Sequence, residues 1–229
     1  MLVSKIVSGG QTGVDRGAIE AALENGFPYG GLIPKGRLAE DGIVPLKFDR
    51  MKEAPRKDYL FRTEWNVTHS DATLIIARYN TAPSVSRESL TGGTLKTELF
   101  SRSHCKPTLV VYTANIEKVV CWLKGVASNL GHDELVLNVA GPRESKARGI
   151  QETAKVFVSR LIKRVKEDVA KEKRKRKRIW RDEFVKGATM EDLYWGMKGL
   201  FLEEESRSRQ KNRIHLRADW ERNRPFFWR

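Results

Sequence analysis

Short apolar runs alternate with amphipathic stretches along the first 141 residues. Lys5-Ile6-Val7-Ser8 predicts a short strand that runs into Gly9-Gly10. Val14, Ala18, Ala21, Ala22 and Leu23 then recur at near-helical spacing, and Asn25-Gly26 ends that helix. Gly30-Gly31-Leu32-Ile33 predicts a second strand. Residues 34–58, with Gly36, Gly42, Pro45 and Pro55 among many charges, predict a loop. Ala72–Ala77 is apolar almost throughout, the pattern of a strand buried on both faces of a parallel sheet. Thr94–His104 predicts a helix and Pro107–Tyr112 another buried strand. Residues 115–130 predict a helix with Ile116, Val119, Val120, Leu123 and Val126 inward. Leu135–Ala140 predicts a last strand, stopped by Gly141-Pro142.

Alternation of this kind predicts an α/β fold, a mostly parallel sheet with helices on both faces. In such sheets ligands bind beyond the carboxyl ends of the strands. From Ile150 the pattern changes. Ile150, Ala154, Phe157, Val158, Leu161, Ile162, Val165 and Val169 hold one face of a long helix, and the face then dissolves into Lys171–Arg178. This predicts two parts, a ligand-binding domain over 1–170 and a basic, partly helical extension over 171–229. The extension carries Trp180, Trp195, Trp220 and Trp228, and its Leu193–Met197 stretch is too apolar for a plain solvated tail.

Composition narrows the function. The chain has 229 residues, is 40% hydrophobic and 31% charged, and has a formal net charge of +14. The charge is uneven: residues 1–150 carry 20 basic and 16 acidic side chains, residues 151–229 carry 23 and 13. No apolar run approaches the roughly 18–20 residues of a membrane span, and Lys5 interrupts any leader-like core. Cys105 and Cys121 are too few for a disulfide framework or a four-ligand zinc site, which predicts reduced thiols in the cytoplasm. His69, His104, His132 and His215 show no ligand spacing, so no metal site is expected.

Five motifs carry chemistry. In the first, Ser8–Gly17, glycines stand between a strand and a helix. Backbone N–H groups of Gly9, Gly10, Gln11, Thr12 and Gly13 at a helix N-terminus suit phosphate, and Asp15 and Arg16 follow. It is neither Walker A nor G-x-G-x-x-G. In the second, Lys35 and Arg37 offer cations to an acidic group, and Glu40-Asp41-Gly42 is a turn signal. In the third, Arg62 and Asn66 share a helix face, a bidentate fork beside an amide able to read a ring edge, with Ser70 and Asp71 beyond. The fourth, Gly92-Gly93-Thr94 with Thr97 and Glu98, is a second glycine-rich loop ahead of a helix, and Glu98 has the chemistry of a general acid or base. In the fifth, Asn138–Ser145, Arg143 and Ser145 are placed to close over a ligand.

The ordered set SGGQTGVDRG, PKGRLAEDG, RTEWNV-THSDATLII, GGT-LKT and LNVAGPRESKA resembles the circularly permuted YpsA branch of the SLOG superfamily, the group labelled "putative molybdenum carrier". The resemblance covers residues 3–165. It implies a Rossmann-like fold that binds nucleotides or related phosphorylated ligands. It also implies that Gly9, Gly10, Thr12, Gly13, Asp15 and Arg16 form the first phosphate loop. Arg62, Glu64, Asn66, Ser70 and Asp71 would line the base or ring side, and Gly92, Gly93, Thr94 and Thr97 would form the second loop. The bound ligand would be a nucleotide or the pterin molybdenum cofactor, with no cofactor intrinsic to the chain. Relatives are often multimers, which implies a homo-oligomer.

The leading expectation is therefore a carrier or sensor of a phosphorylated small molecule. Two other readings stay open. One is a nucleoside monophosphate N-glycosidase of the LOG type, with Glu98 or Glu64 as acid or base. The LOG signature P-G-G-x-G-T-x-x-E is incomplete here, since Thr91–Glu98 lacks the Pro and the third Gly. The other is a nucleic-acid-binding protein in which Lys173, Arg174, Lys175, Arg176, Lys177 and Arg178 contact phosphates and nearby tryptophans stack on bases.

Overall fold

Eight strands and five helices follow one another through the computed structural model, which describes residues 2–77, 90–112 and 115–184. They are β1 (Val3–Val7), α1 (Val14–Glu24), β2 (Tyr29–Ile33), β3 (Leu38–Ala39), β4 (Gly42–Ile43), β5 (Met51–Glu53) and α2 (Tyr59–Thr68). Then come β6 (Ala72–Ile76), α3 (Gly92–Ser103), β7 (Thr108–Val111), α4 (Ile116–Leu130), β8 (Leu135–Ala140) and α5 (Ile150–Phe184). The predicted α/β class and its Rossmann-like arrangement are borne out. Six strands form one sheet in the order β5-β2-β1-β8-β6-β7, and every pairing in it is parallel.

The chain builds the sheet outward and then closes it from within. From β1 it steps to β2 and β5 on one side, crosses through α2 to β6 and β7 on the other, and returns through α4 to place β8 in the gap. The strand order therefore reverses beside β1 and β8. At that reversal the loops leaving the two strands face each other, which makes a crevice at the carboxyl edge.

Local chemistry sets the element ends. The Asp58 carboxylate accepts from Leu60 N–H at 2.8 Å and starts α2, and the Asn115 amide oxygen accepts from Lys118 N–H at 2.9 Å and starts α4. Gly131, at φ 64°, closes α4 in the left-handed region. Every residue of β6 is buried, as its almost wholly apolar run requires, and its one polar side chain, Thr73, accepts from Asn138 Nδ2 at 3.3 Å. The stripe on α5 from Ile150 to Val165 joins the same core as Ile6, Leu74, Leu123 and Leu137.

Three expectations are corrected. The stretch 34–58 is not all loop: it holds the hairpin β3–β4 and the edge strand β5, which pairs with β2 through Gly31↔Met51 and Ile33↔Glu53. β7 is an edge strand, so only its Val111 is buried. α3 begins at Gly92, two residues before the predicted start.

The chain divides into units at Met1–Ala170 and Lys171–Arg229. Trp195, Trp220, Trp228 and the Leu193–Met197 stretch lie outside the described residues. Among the described residues no helix is long and apolar enough to cross a membrane.

Candidate functional site

The loop after β1 is threaded through the fold rather than laid on its surface. Ser8 is buried and its hydroxyl donates to Val139 O at 2.7 Å, tying the exit of β1 to β8. Gly13 has φ 78° and ψ −134°, a conformation open to glycine alone, and a Cβ there would stand 2.3 Å from Pro142 O. The first N–H of α1, from Val14, donates to that same carbonyl at 3.2 Å. Gly13 N–H donates to Gln151 Oε1 at 3.3 Å. The first-strand loop, the start of α1 and the β8–α5 connection thus form one wall.

The other wall comes from α2. Gly30 O accepts from Ser8 N–H at 3.0 Å, the last rung between β1 and β2. Two residues on, Leu32 offers the same side of its backbone, but β1 has already turned away. The Asn66 amide takes its place: Oδ1 accepts from Leu32 N–H at 2.7 Å and Nδ2 donates to Leu32 O at 3.1 Å. Both ends of the buried Asn66 amide are thus engaged by the sheet.

One turn earlier, Arg62 reaches the loop itself. A Cβ on Gly9 would lie 1.4 Å from Arg62 Nη1, so this glycine is what admits the guanidinium. Arg62 Nη1 donates to Asp15 Oδ2 at 3.1 Å, and both side chains are largely buried. Burial pushes the Asp15 carboxyl above the usual range, while Arg62, a bond from the Gln11 backbone and the field of Arg143 pull it back.

Below this pair lies a second polar cluster. The Glu40 carboxylate at the tip of the β3–β4 hairpin accepts from the Thr12 hydroxyl, from Ser145 Oγ at 2.6 Å and from Ser145 N–H at 3.2 Å. Its neighbour Asp41 takes the Arg16 guanidinium with both oxygens, one at 3.0 Å. Burial raises Glu40, yet the hydrogen bonds from Ser145 and Thr12 outweigh it and hold the carboxyl below its ordinary value. Asp41 is likewise held low, first by the Arg16 hydrogen bond. The cluster borders an open depression of about 520 Å³ lined by Thr12, Arg16, Glu40, Asp41, Ser145 and Arg148, among others.

Three buried nitrogens in this region have no hydrogen-bond partner among the described residues: Gln11 Nε2, Arg16 Nε and Arg62 Nε. Orphaned buried donors are rare, so three around one glycine loop point to an acceptor-rich ligand.

The remaining predicted residues divide by edge. Arg143 stands over the Tyr59 ring at 5.4 Å near the carboxyl edge. Gly92, Gly93, Thr94, Thr97 and Glu98 lie on the first two turns of α3. Thr97 Oγ1 donates to Gly93 O at 3.0 Å, and Glu98 is buried, accepting from Arg102 at 2.8 Å. Lys35 is exposed.

Arg37, contrary to expectation, clamps its own loop, donating to Val44 O at 3.0 Å, Pro45 O at 3.0 Å and Phe48 O at 3.2 Å. Ser70 and Asp71 precede β6 and so lie at the amino edge, away from the crevice. Ser70 Oγ donates to Asn66 O at 2.7 Å, and Asp71 Oδ2 accepts from Val136 N–H at 2.7 Å. Glu64 belongs to that edge too, since it pairs at 2.8 Å with His104, the residue that ends α3. Its ring-side and catalytic roles are not supported by that position.

Along α5, Lys173, Arg174, Lys175, Arg176, Lys177 and Arg178 are all exposed. Among the described residues no group of three His, Cys, Asp or Glu is placed to hold a metal. Sequence reasoning passed over Asp41 and Gln151 as site residues and read Glu40 only as part of a turn. Acidic residues are common at turns, and nothing local tells that these ones reach across the fold.

Comparison with known proteins gives the family and a similar structure. The model of the circularly permutated YpsA SLOG family matches residues 6–162. A crystal structure at 1.45 Å from Syntrophus aciditrophicus SB, described as a "putative molybdenum carrier protein", is similar at 37% identity with a TM-score of 0.58. The match covers 69% of this chain and 94% of that one. No curated protein matches.

Proposed function

Because the chain belongs to the circularly permutated YpsA SLOG family, we propose that it binds a phosphorylated small molecule, a nucleotide derivative or a pterin, in the crevice between β1 and β8. The reading is that of a carrier or sensor. The observation that carries it is the trio of orphaned buried donors, Gln11 Nε2, Arg16 Nε and Arg62 Nε, around a glycine loop at the carboxyl edge. Phosphate oxygens are the acceptors that such donors and a helix N-terminus favour. Gly9 admits the Arg62 guanidinium to the loop, and this sets a cation beside the backbone that a ligand would meet.

The similar crystal structure is described as a "putative molybdenum carrier protein", and the donor set here fits the phosphate of a pterin cofactor. The cofactor would supply its own metal chemistry, and the protein's part would be to hold the phosphate. Arg62 would share its fork between Asp15 and the ligand, and Arg143 would cover the open side.

Native mass spectrometry of the freshly purified chain tests this. A co-purifying phosphorylated pterin or nucleotide is expected, lost in Gly10→Asp and Arg62→Ala. Unchanged ligand content in both variants would overturn the site. The same spectrum reads the oligomeric state, for which we propose a homo-oligomer.

A second reading rests on the exposed cations of α5. Lys173–Arg178 place six consecutive positive side chains in solvent, which suits a polyanion such as single-stranded nucleic acid. Binding that falls steeply with salt and disappears on truncation at residue 170 is expected. Equal binding by the truncated chain would refute it.

A further inference from the structure

We propose that Thr12, Arg16 and Ser145 form an oxyanion seat that the chain's own Glu40 and Asp41 occupy, and that a phosphate group must displace these carboxylates to bind there. The inference rests on the reading above and names what guards that site.

The donors and the acceptors differ in kind. Thr12 and Arg16 are buried parts of the glycine loop and of the first turn of α1, where the helix end adds a partial positive charge. The acceptors come from a hairpin tip. Arg16's side chain is 7% exposed and that of Asp41 is 47% exposed. The hairpin has a two-pair ladder, Leu38↔Ile43 and Ala39↔Gly42, and Gly42 is open to solvent. Its base is held by Val44 N–H donating to Arg37 O at 2.7 Å and its tip by Glu40 N–H donating to Gln11 Oε1 at 2.8 Å.

The bonding is what a phosphate would receive. One carboxylate takes two hydroxyls and a backbone N–H, and the next takes a guanidinium fork. Arg148 lines the same depression, and Arg16 Nε lacks an acceptor even with Asp41 in place. The carboxylates therefore satisfy the seat incompletely. That both are held below their ordinary pKa is consistent with a site built for negative charge.

Occupancy by an internal acid weakens binding of an external one in proportion to the fraction of molecules whose seat is open. A seat open in one molecule in ten costs about tenfold in apparent affinity. The test titrates the full chain and its Glu40→Gln Asp41→Asn variant with inorganic pyrophosphate by calorimetry. The variant is expected to bind about tenfold more tightly. In parallel, hydrogen exchange of the wild-type amides over 38–44 is followed, and it is expected to speed up when pyrophosphate is added.

Equal or weaker binding by the variant, or hairpin amides that do not respond, would overturn the proposal. A gain in affinity from lost negative charge alone would leave those amides unchanged. Should the variant fail to fold, the wild-type exchange decides alone. Nucleotide or pterin binding that needs Arg62 while the hairpin stays closed would remove the guard and leave the proposed function standing. Absence of any phosphate binding would remove both.

Discussion

Two glycine-rich loops precede helices in this chain, and they are built on opposite principles. Around the first, added methyl groups would collide at once: with Arg62 at Gly9, with Ile33 at Gly10 and with Pro142 O at Gly13. Around Gly92 and Gly93 no described atom lies within 4 Å of such a methyl. The first loop needs glycine because other parts of the fold press against it. Among the described residues the second meets no packing demand of that kind, and of its two glycines only Gly92, at φ 55°, has a backbone reason to be glycine. Similar strings of letters thus encode a crowded, cross-braced wall and a ledge that no other described residue presses on.

The largest effect is expected on the crowded side. Gly13→Ala should cost at least about 3 kcal/mol, since it meets both a forbidden backbone region and a carbonyl. Urea unfolding measures it, and a loss under about 1 kcal/mol would mean that the two loops are less different than they look.

Arg62→Ala comes next. It removes the partner of a buried carboxylate, a change that typically costs about 3–5 kcal/mol. The raised Asp15 carboxyl offsets part of this by taking a proton, so about 2–3 kcal/mol is expected. That loss should grow as the pH rises, because the unpaired carboxyl must then ionise in a buried place. A pH-independent loss would show that Asp15 does not depend on Arg62.

The hairpin latch responds to acid. Glu40 and Asp41 are held below their ordinary values of 4.5 and 3.8. Their contribution is therefore present above that range and lost as the pH falls through and below it. Proteolysis at Arg37, followed from pH 7 down to pH 3, should accelerate only at the acid end, and Asp41→Asn should blunt the dependence.

Gly93→Ala sharpens the contrast from the other side. It lies within α3, needs no positive φ and meets no described atom, so it should stabilise the fold by about 0.5–1 kcal/mol. A ledge that receives a phosphate against its backbone would reveal itself as lost ligand affinity in this well-folded variant.

The smallest change is expected for Glu64→Gln. Its half-exposed pair with His104 is worth at most about 1 kcal/mol, and ligand content by native mass spectrometry should not change.

Most of the sheet was legible because burial on both faces forces nearly continuous apolar runs, as in Ala72–Ile76 and Leu135–Ala140, whose one polar residue each, Thr73 and Asn138, bond to each other. β5 was not, because Met51-Lys52-Glu53 is an edge strand with one buried side chain, and polar letters at an edge look like loop. The glycine loop was legible as a strand–glycine–helix transition. What it pairs with was hidden. Arg62 and Asn66 announced a shared helix face, but that one braces Gly9 and the other mends the sheet depends on where β1 leaves β2. Ser70 and Asp71 misled because closeness in sequence to Arg62 does not say which edge of the sheet a residue reaches. Arg37, a cation in a loop, went to nearby carbonyls rather than to a ligand, a choice that sequence does not record.

The late insertion of β8 between β1 and β6 has a consequence for the chain as it is made. The strands β5-β2-β1 and β6-β7 have no direct pairing to each other and meet only through residues 135–140. Without those residues the inner edges of β1 and β6 would have no strand to pair with, and bare edges are the kind of surface that recruits other strands. Val3 must wait for Leu135, a closure across most of the domain, and such long-range pairing is slow. A chain truncated just before β8 is therefore expected to aggregate through those edges, where the full chain does not.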